Sequence, residues 1–149
     1  MSDLTDAEFR ALLAFRVAVR KFMLWSDREA AKAGLTSQQH QLLLVVRVRS
    51  GERAVSVTDV AAALGIRHHS AVGLVRRAEA MRLLERRRDI ADRRVVRLQL
   101  TREANTLLAG LSRSHLAELQ RAAYVLRNSG VPLQKLLADL EQSASEDFT

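Results

Sequence analysis

Midway along this chain the hydrophobic period changes from about 3.6 residues to 2. In the stretch Ser56–Thr101, SVTDVAAALGIRHHSAVGLVRRAEAMRLLERRRDIADRRVVRLQLT, the residues Val57, Val60, Ala61 and Leu64 repeat at helical spacing until Gly65 ends the run. Ile66 plugs the turn, and a second helix runs from about His68 to Leu83, with Val72, Leu74, Val75, Ala78 and Met81 on its buried side. Two helices joined by a short glycine turn read as a helix-turn-helix. After Leu84 the pattern alternates: Val96, Leu98 and Leu100 interleave with Val95, Arg97 and Gln99, and Leu84, Arg86 and Arg88 supply the facing strand. The connecting loop Asp89-Ile90-Ala91-Asp92-Arg93-Arg94 is too polar to bury. Helix, turn, helix and hairpin in that order predict a winged helix-turn-helix, a shape able to lay one helix in a DNA groove.

Helical spacing continues on both sides of that unit. Ser2-Asp3 or Thr5 can cap a first helix reaching about Lys32, with Asp3, Asp6 and Glu8 at its positive end. Leu12, Phe15, Val19 and Phe22 form one apolar stripe, and Ala11, Ala14, Ala18 and Trp25 a neighbouring one. Gly34 ends the helix, and Thr36 or Ser37 caps a second, whose run Leu42–Val46 is apolar on all sides and should be buried. Ser50-Gly51-Glu52 breaks it, and Ala54-Val55 could add a short strand beside the wing. Thr101, with Glu103 close behind, caps a long helix to about Asn128, striped by Leu107, Leu108, Leu111, Leu119, Ala122 and Leu126. Asn128-Ser129-Gly130 stops it, and Pro132 suits the first residue of a last helix with Leu133, Leu136, Leu137 and Leu140 along one seam. The flanking helices carry more apolar face than one small winged unit can cover, and pairing in a symmetric dimer is the simplest remedy. The expected architecture is mainly α with a small β-wing: a single domain over residues 1–149, with a winged helix-turn-helix at about 36–100 flanked by dimerisation helices at 1–33 and 101–147.

Charge is concentrated on the central unit. The formal net charge is +7, and between Arg76 and Arg97 nine arginines face four acids, whereas from Leu98 onward five basic residues meet six acidic ones. Arginine supplies nearly all of the excess, since the chain has three lysines, and its planar fork suits phosphate and guanine. There is no cysteine, which excludes disulfides, thiol switches and thiolate metal sites. No apolar run approaches the roughly 18–20 residues of a membrane span, and the opening MSDLTDAEF is acidic and polar, unlike a signal peptide. A cytoplasmic protein without a cofactor is the expectation. No phosphate loop, nucleophile–base signature or metal cluster points to an enzyme.

The first residues of the second helix of a helix-turn-helix reach base edges. Here they are Arg67, His68, His69 and Ser70 and, one turn on, Gly73, with Arg76, Arg77 and Arg82 available on the polar side. Ala71 and Gly73 are small, which permits close approach. Adjacent histidines point about 100° apart on a helix and cannot chelate one metal together. At the wing, Arg93 and Arg94 suit a narrow minor groove. Asp92 repels phosphate, so its expected role is to orient an arginine, either Arg94 or one on the recognition helix such as Arg77.

These residues resemble a known pattern. DIADRRVVRLQLTREA is similar to the wing of the MarR (multiple antibiotic resistance regulator) family, with Asp92, Arg94, Leu100 and Thr101 matching its Asp-x-Arg and Leu-Thr; LTSQQHQLLLVV, VTDVAAALGI and AVGLVRRAE resemble its preceding helices. The resemblance runs from about Leu12 to Leu126. It implies a homodimeric winged helix regulator, usually a repressor, on a palindromic DNA operator, released by small anionic or aromatic molecules bound between the dimerisation helices and the DNA-binding unit. Two positions depart from the pattern: Arg82-Leu83 stands where Gly-Leu is common, and Glu103-Ala104 where Glu-Gly is common. Arg and Ala both suit a helix better than Gly, so neither departure should unfold the domain.

Trp25 and His40 could face such an effector cleft, an aromatic wall and a titratable donor suited to a small aromatic acid; a core Trp and a satisfied His are the plainer readings. His115 is expected at a dimer contact or in the core. Two other functions fit the same fold: a winged-helix module that binds protein or RNA, and a DNA binder that has no effector.

Overall fold

The computed structural model describes residues 4–51, 53–128 and 130. Among the described residues five helices and one hairpin follow in order: α1 (Asp6–Lys32), α2 (Ser37–Arg49), α3 (Val57–Leu64), α4 (His68–Ala80), β1 (Leu84–Arg88), β2 (Val96–Leu100) and α5 (Arg102–Asn128). The helix expected from Pro132 and a cap at Ser2-Asp3 lie outside the described residues. The chain divides into two compact units, residues 26–114 and the two ends, 1–25 with 115–149.

Residues 26–114 close around one core. Leu42, Leu43 and Val46 of α2, Val60 of α3, Leu74 and Val75 of α4 and Leu98 of β2 are fully buried, joined by Val55 before α3. The α2 run is less central than its composition suggests, because Leu44 points outward and Val45 is half-buried. Burying side chains of this size stabilises by about 1.5–3 kcal/mol each. β1 and β2 pair antiparallel in the register Leu84↔Leu100, Arg86↔Leu98 and Arg88↔Val96. Ala54-Val55 does not become a third strand: the Val55 carbonyl accepts one bond from the Leu98 N–H (2.9 Å), and the sheet has two strands.

Local chemistry sets the helix ends. Thr36 and Gln39 form a reciprocal capping box at α2 (2.9 and 3.1 Å), as do Ser56 and Asp59 at α3 (2.8 and 3.2 Å). Asp59 also takes a two-pronged pair from Arg53 (2.6 and 3.1 Å). That arginine and the Ser56 N–H hold its carboxyl well below the usual range. Gly65 ends α3 at φ 63°, in the left-handed region that glycine enters without steric cost.

α4 ends differently from the sequence expectation. It stops at Ala80, not Leu83, and Arg82 takes φ 56°, the one non-glycine residue with positive φ among those described. The Arg82 N–H bonds back to the Glu79 carbonyl and the Leu83 N–H to the Ala78 carbonyl (both 2.9 Å), a Schellman closure that glycine would enter more cheaply. The common Gly-Leu at this point is thus a helix stop, and helix propensity was the wrong measure of Arg82. Thr101 ties this corner together. Its hydroxyl donates to the Arg82 carbonyl (2.8 Å) and accepts from the Ala104 N–H at the start of α5 (3.1 Å), while its own N–H reaches the Leu83 carbonyl (3.1 Å).

The unit made from the chain ends contrasts with this. Ala11 is buried, but Leu12, Phe15 and Val19 of the expected α1 stripe are each more than 40% exposed. Phe9, Leu13, Leu24, Leu116, Leu119, Tyr124 and Val125 are exposed as well. The α5 stripe divides accordingly: Leu108 and Leu111 belong to the central core, and Leu119 stays in solvent.

Candidate nucleic-acid interface

α4 is preceded by Arg67 at the N-cap position, which has extended backbone (φ −68°, ψ 149°) and makes no side-chain cap. Each of the other four described helices has one, from Thr5, Thr36, Ser56 or Thr101. The first N–H groups of α4 are therefore left for another acceptor, and a helix N-terminus favours an anion. Arg67, His68, His69 and Ser70 surround this end and are all exposed. Ala71 turns inward and is fully buried, so its small size serves packing and not approach to a ligand. Gly73 is half-buried under Arg77; a Cβ there would stand 3.3 Å from Arg77 Nη1. Arg76 and Arg77 are exposed on the outer face of α4.

The wing is ordered by its two aspartates. Asp89 Oδ1 accepts from the Ala91 N–H (2.8 Å), Asp89 Oδ2 from Arg97 Nη2 (2.5 Å), and the Asp89 N–H closes onto the Val95 carbonyl (2.9 Å). Asp92 receives both the backbone N–H and the guanidinium of Arg94, each contact at 3.1 Å. Arg94 is therefore the arginine that Asp92 orients; Arg77 has no part in the pair. Arg97 holds the Asp89 carboxyl below its ordinary range, and Arg94 does the same for Asp92. Arg93 and Arg94 are exposed, and the Arg93 carbonyl accepts from Arg88 Nη1 (3.2 Å).

Counting ion pairs shows what charge is left over. Glu79 pairs with Arg86, Glu85 with Arg87, Asp89 with Arg97 and Asp92 with Arg94. Every acid of α4 and the wing is thereby used, while Arg67, Arg76, Arg77, Arg82, Arg88 and Arg93 have no carboxylate partner among the described residues. Sequence reasoning counted Arg82 and Arg88 in the basic excess without placing them among the candidate DNA-binding residues, and it missed the Asp89–Arg97 clamp. Opposite charges placed diagonally across a hairpin were the available signal for the clamp.

The two residues considered for an effector sit in different surroundings. Trp25 belongs to an aromatic cluster with His115 (ring centroids 4.8 Å apart) and Phe22 (6.0 Å). His115, half-buried, also meets the edge of Phe22, at 6.0 Å and 85°. His40, in the first turn of α2, is only 5% exposed. Trp25 ends one compact unit and His40 lies within the other.

Helix-turn-helix, Schellman corner and two-stranded wing together define a winged helix-turn-helix. Residues 33–95, the winged segment, match the model of the MarR family. Solved structures agree over nearly the whole chain. AbsC, a MarR family transcriptional regulator from Streptomyces coelicolor, superposes with a TM-score of 0.70 at 20% identity, covering 98% of this chain and 97% of AbsC. A MepR mutant from Staphylococcus aureus bound to an oligodeoxyribonucleotide gives 0.63 at 20% identity, covering 97% of this chain and 99% of its own. MepR bound to ethidium bromide gives 0.61 at 20% identity, with 96% of each chain covered. No curated protein sequence matches the chain. The fold is that of the MarR-family transcriptional regulators. No helix among the described residues is long and apolar enough to cross a membrane.

Proposed function

We propose that this protein is a homodimeric, sequence-specific double-stranded DNA-binding transcription regulator, a repressor released by a small aromatic or anionic ligand. The observation that carries the DNA-binding reading is the charge left after pairing: exposed arginines without carboxylates lie on α4 and along the wing, and the start of α4 has no cap of its own. Arg67, His68, His69, Ser70 and Gly73, followed by Arg76 and Arg77, are assigned to the major groove, and Arg93 and Arg94, oriented by Asp92, to the minor groove and its phosphates. The match of residues 33–95 to the MarR family model and the MepR mutant bound to an oligodeoxyribonucleotide support the DNA-binding reading.

The dimer reading rests on the exposed apolar side chains of α1 and α5, a larger set than scattered surface residues account for. In this reading residues 1–33 and 101–147 are the dimerisation helices of a single domain. Release by a ligand requires tighter binding to the DNA-incompetent state; MepR with ethidium supports an aromatic ligand, and Trp25 and His40 are the residues assigned to it.

Selection of bound duplexes from a random pool tests the function. A palindrome with half-sites about one helical turn apart is expected, with affinity that falls steeply as salt rises. Recovery of no duplex, or of protein or RNA binding alone, would overturn the reading. A thermal-shift screen of aromatic acids, followed by DNA competition, tests release; duplex binding indifferent to every compound would make the protein a constitutive DNA binder.

A further inference from the structure

The tip of the wing is apolar. Ile90 is 99% exposed, Ala91 beside it is exposed, and the arginines stand behind them, at Arg88 on one strand and Arg93 and Arg94 on the return. A floppy loop could fold such a side chain away, but this one is braced. The Asp89 carboxylate holds the Ala91 N–H, the Asp89 N–H holds the Val95 carbonyl, Arg97 grips Asp89, and Arg88 reaches the Arg93 carbonyl. The bonds on either side of Ile90 thus fix a projecting aliphatic group that is almost fully exposed. Val95 and Val96 continue the apolar character along the return arm and are also exposed.

We infer that Ile90 is an apolar wedge that enters the DNA minor groove ahead of the wing arginines and packs against the sugar–base wall. The inference rests on the DNA-binding reading above. The occupant is chosen by charge: a rim of arginines around an aliphatic tip matches a surface whose edges are phosphates and whose interior is sugar and base. Such a division of labour has a consequence in salt. Guanidinium contacts release counterions and weaken as salt rises, whereas burying an isoleucine removes apolar surface from water and releases no ion. Ile90 therefore sets affinity without setting its salt dependence, and Arg94 does both.

The experiment uses the full chain and a duplex recovered by selection, with binding measured at four salt concentrations. Ile90→Ser is expected to weaken binding about tenfold at every salt concentration, the effect of exposing an aliphatic side chain that the complex had buried. Ile90→Leu is expected to stay within about twofold of the parent. Arg94→Ala should lower both the affinity and the slope of log affinity against log salt, the slope by about one. Ile90→Ser binding as tightly as the parent would overturn the inference, and so would Ile90→Leu failing as badly as Ile90→Ser, or a slope that moves with Ile90. If the parent binds duplex but Arg94→Ala is silent in affinity and slope, the assignment of the wing fails and the inference fails with it. Tenfold loss for Ile90→Ser with a normal Arg94 effect supports both.

Discussion

The central unit and the chain ends solve opposite problems. Residues 26–114 bury their large aliphatic side chains and display unpaired arginines; the ends keep Leu12, Phe15, Val19, Leu119 and Tyr124 in solvent. The first is a finished hydrophobic core with an unfinished electrostatic surface. The second has apolar side chains that stand exposed among the described residues. Each deficit points to a different partner: polyanion for the arginines, a second apolar face for the helices.

The sharpest test of the contrast is to damage each core in turn. Leu74→Ala removes a buried side chain from the central unit and should cost about 2–5 kcal/mol, read as a lower denaturant midpoint at any protein concentration. A change under about 1 kcal/mol would mean that this core is not what holds the unit. Phe15→Glu, on the exposed α1 stripe, should instead shift sedimentation from dimer to monomer and raise the dimer dissociation constant more than about 100-fold, since each interface carries the change twice. A dimer that survives it would place the interface elsewhere.

Smaller effects separate shape from charge. Arg93→Ala, at a guanidinium with no carboxylate partner, should weaken duplex binding about three- to tenfold and leave sedimentation unchanged; a silent variant would remove Arg93 from the interface. Arg82→Gly should raise stability by about 0.5–1 kcal/mol, because glycine accepts the left-handed backbone that Arg82 adopts under strain. Thermal unfolding of the variant checks this, and a destabilised protein would show that the Arg82 side chain contributes more than its backbone costs.

The least of the expected effects concerns pH. Asp89 and Asp92 titrate below the ordinary aspartate range because Arg97 and Arg94 favour their charged forms. Their contribution to wing order is present above the ordinary aspartate pKa and is lost only as pH falls through the depressed values. The amide signals of Ala91 and Arg94 should therefore hold constant from pH 8 to about pH 5 and move only in stronger acid. Movement near neutrality would mean that the two aspartates do not order the tip.

Much of this was legible in the chain because it depends on near neighbours. Helical spacing marked α3 and α4, alternation marked the strands, and the observed register pairs the residues that alternation put face to face. Thr36 and Thr101 stood among the candidate caps and do cap their helices, since capping acts within one turn. Asp92 and Arg94, two apart on a tight loop, were close enough in sequence for their pairing to be anticipated. Ala71 was not legible in the same way: its small size is compatible with either face of a helix, and only the packing of α4 against the core turned it inward. Arg82 was misread because propensity measures the cost of staying in a helix, whereas its position demands leaving one.

What the sequence alone determined is the order of elements, the polarity of each face and the concentration of arginine on α4 and the wing, all set by local spacing and composition. The tertiary structure decided which charges cancel. Glu79 meets Arg86 and Asp89 meets Arg97 across seven and eight residues, and those pairings determine which guanidinium groups remain for a phosphate. It also decided the first turn of α4, where Arg67, His68 and His69 surround an uncapped helix end. A cap is made or withheld by a hydrogen bond, and a hydrogen bond depends on where atoms stand, which residue order constrains but does not state.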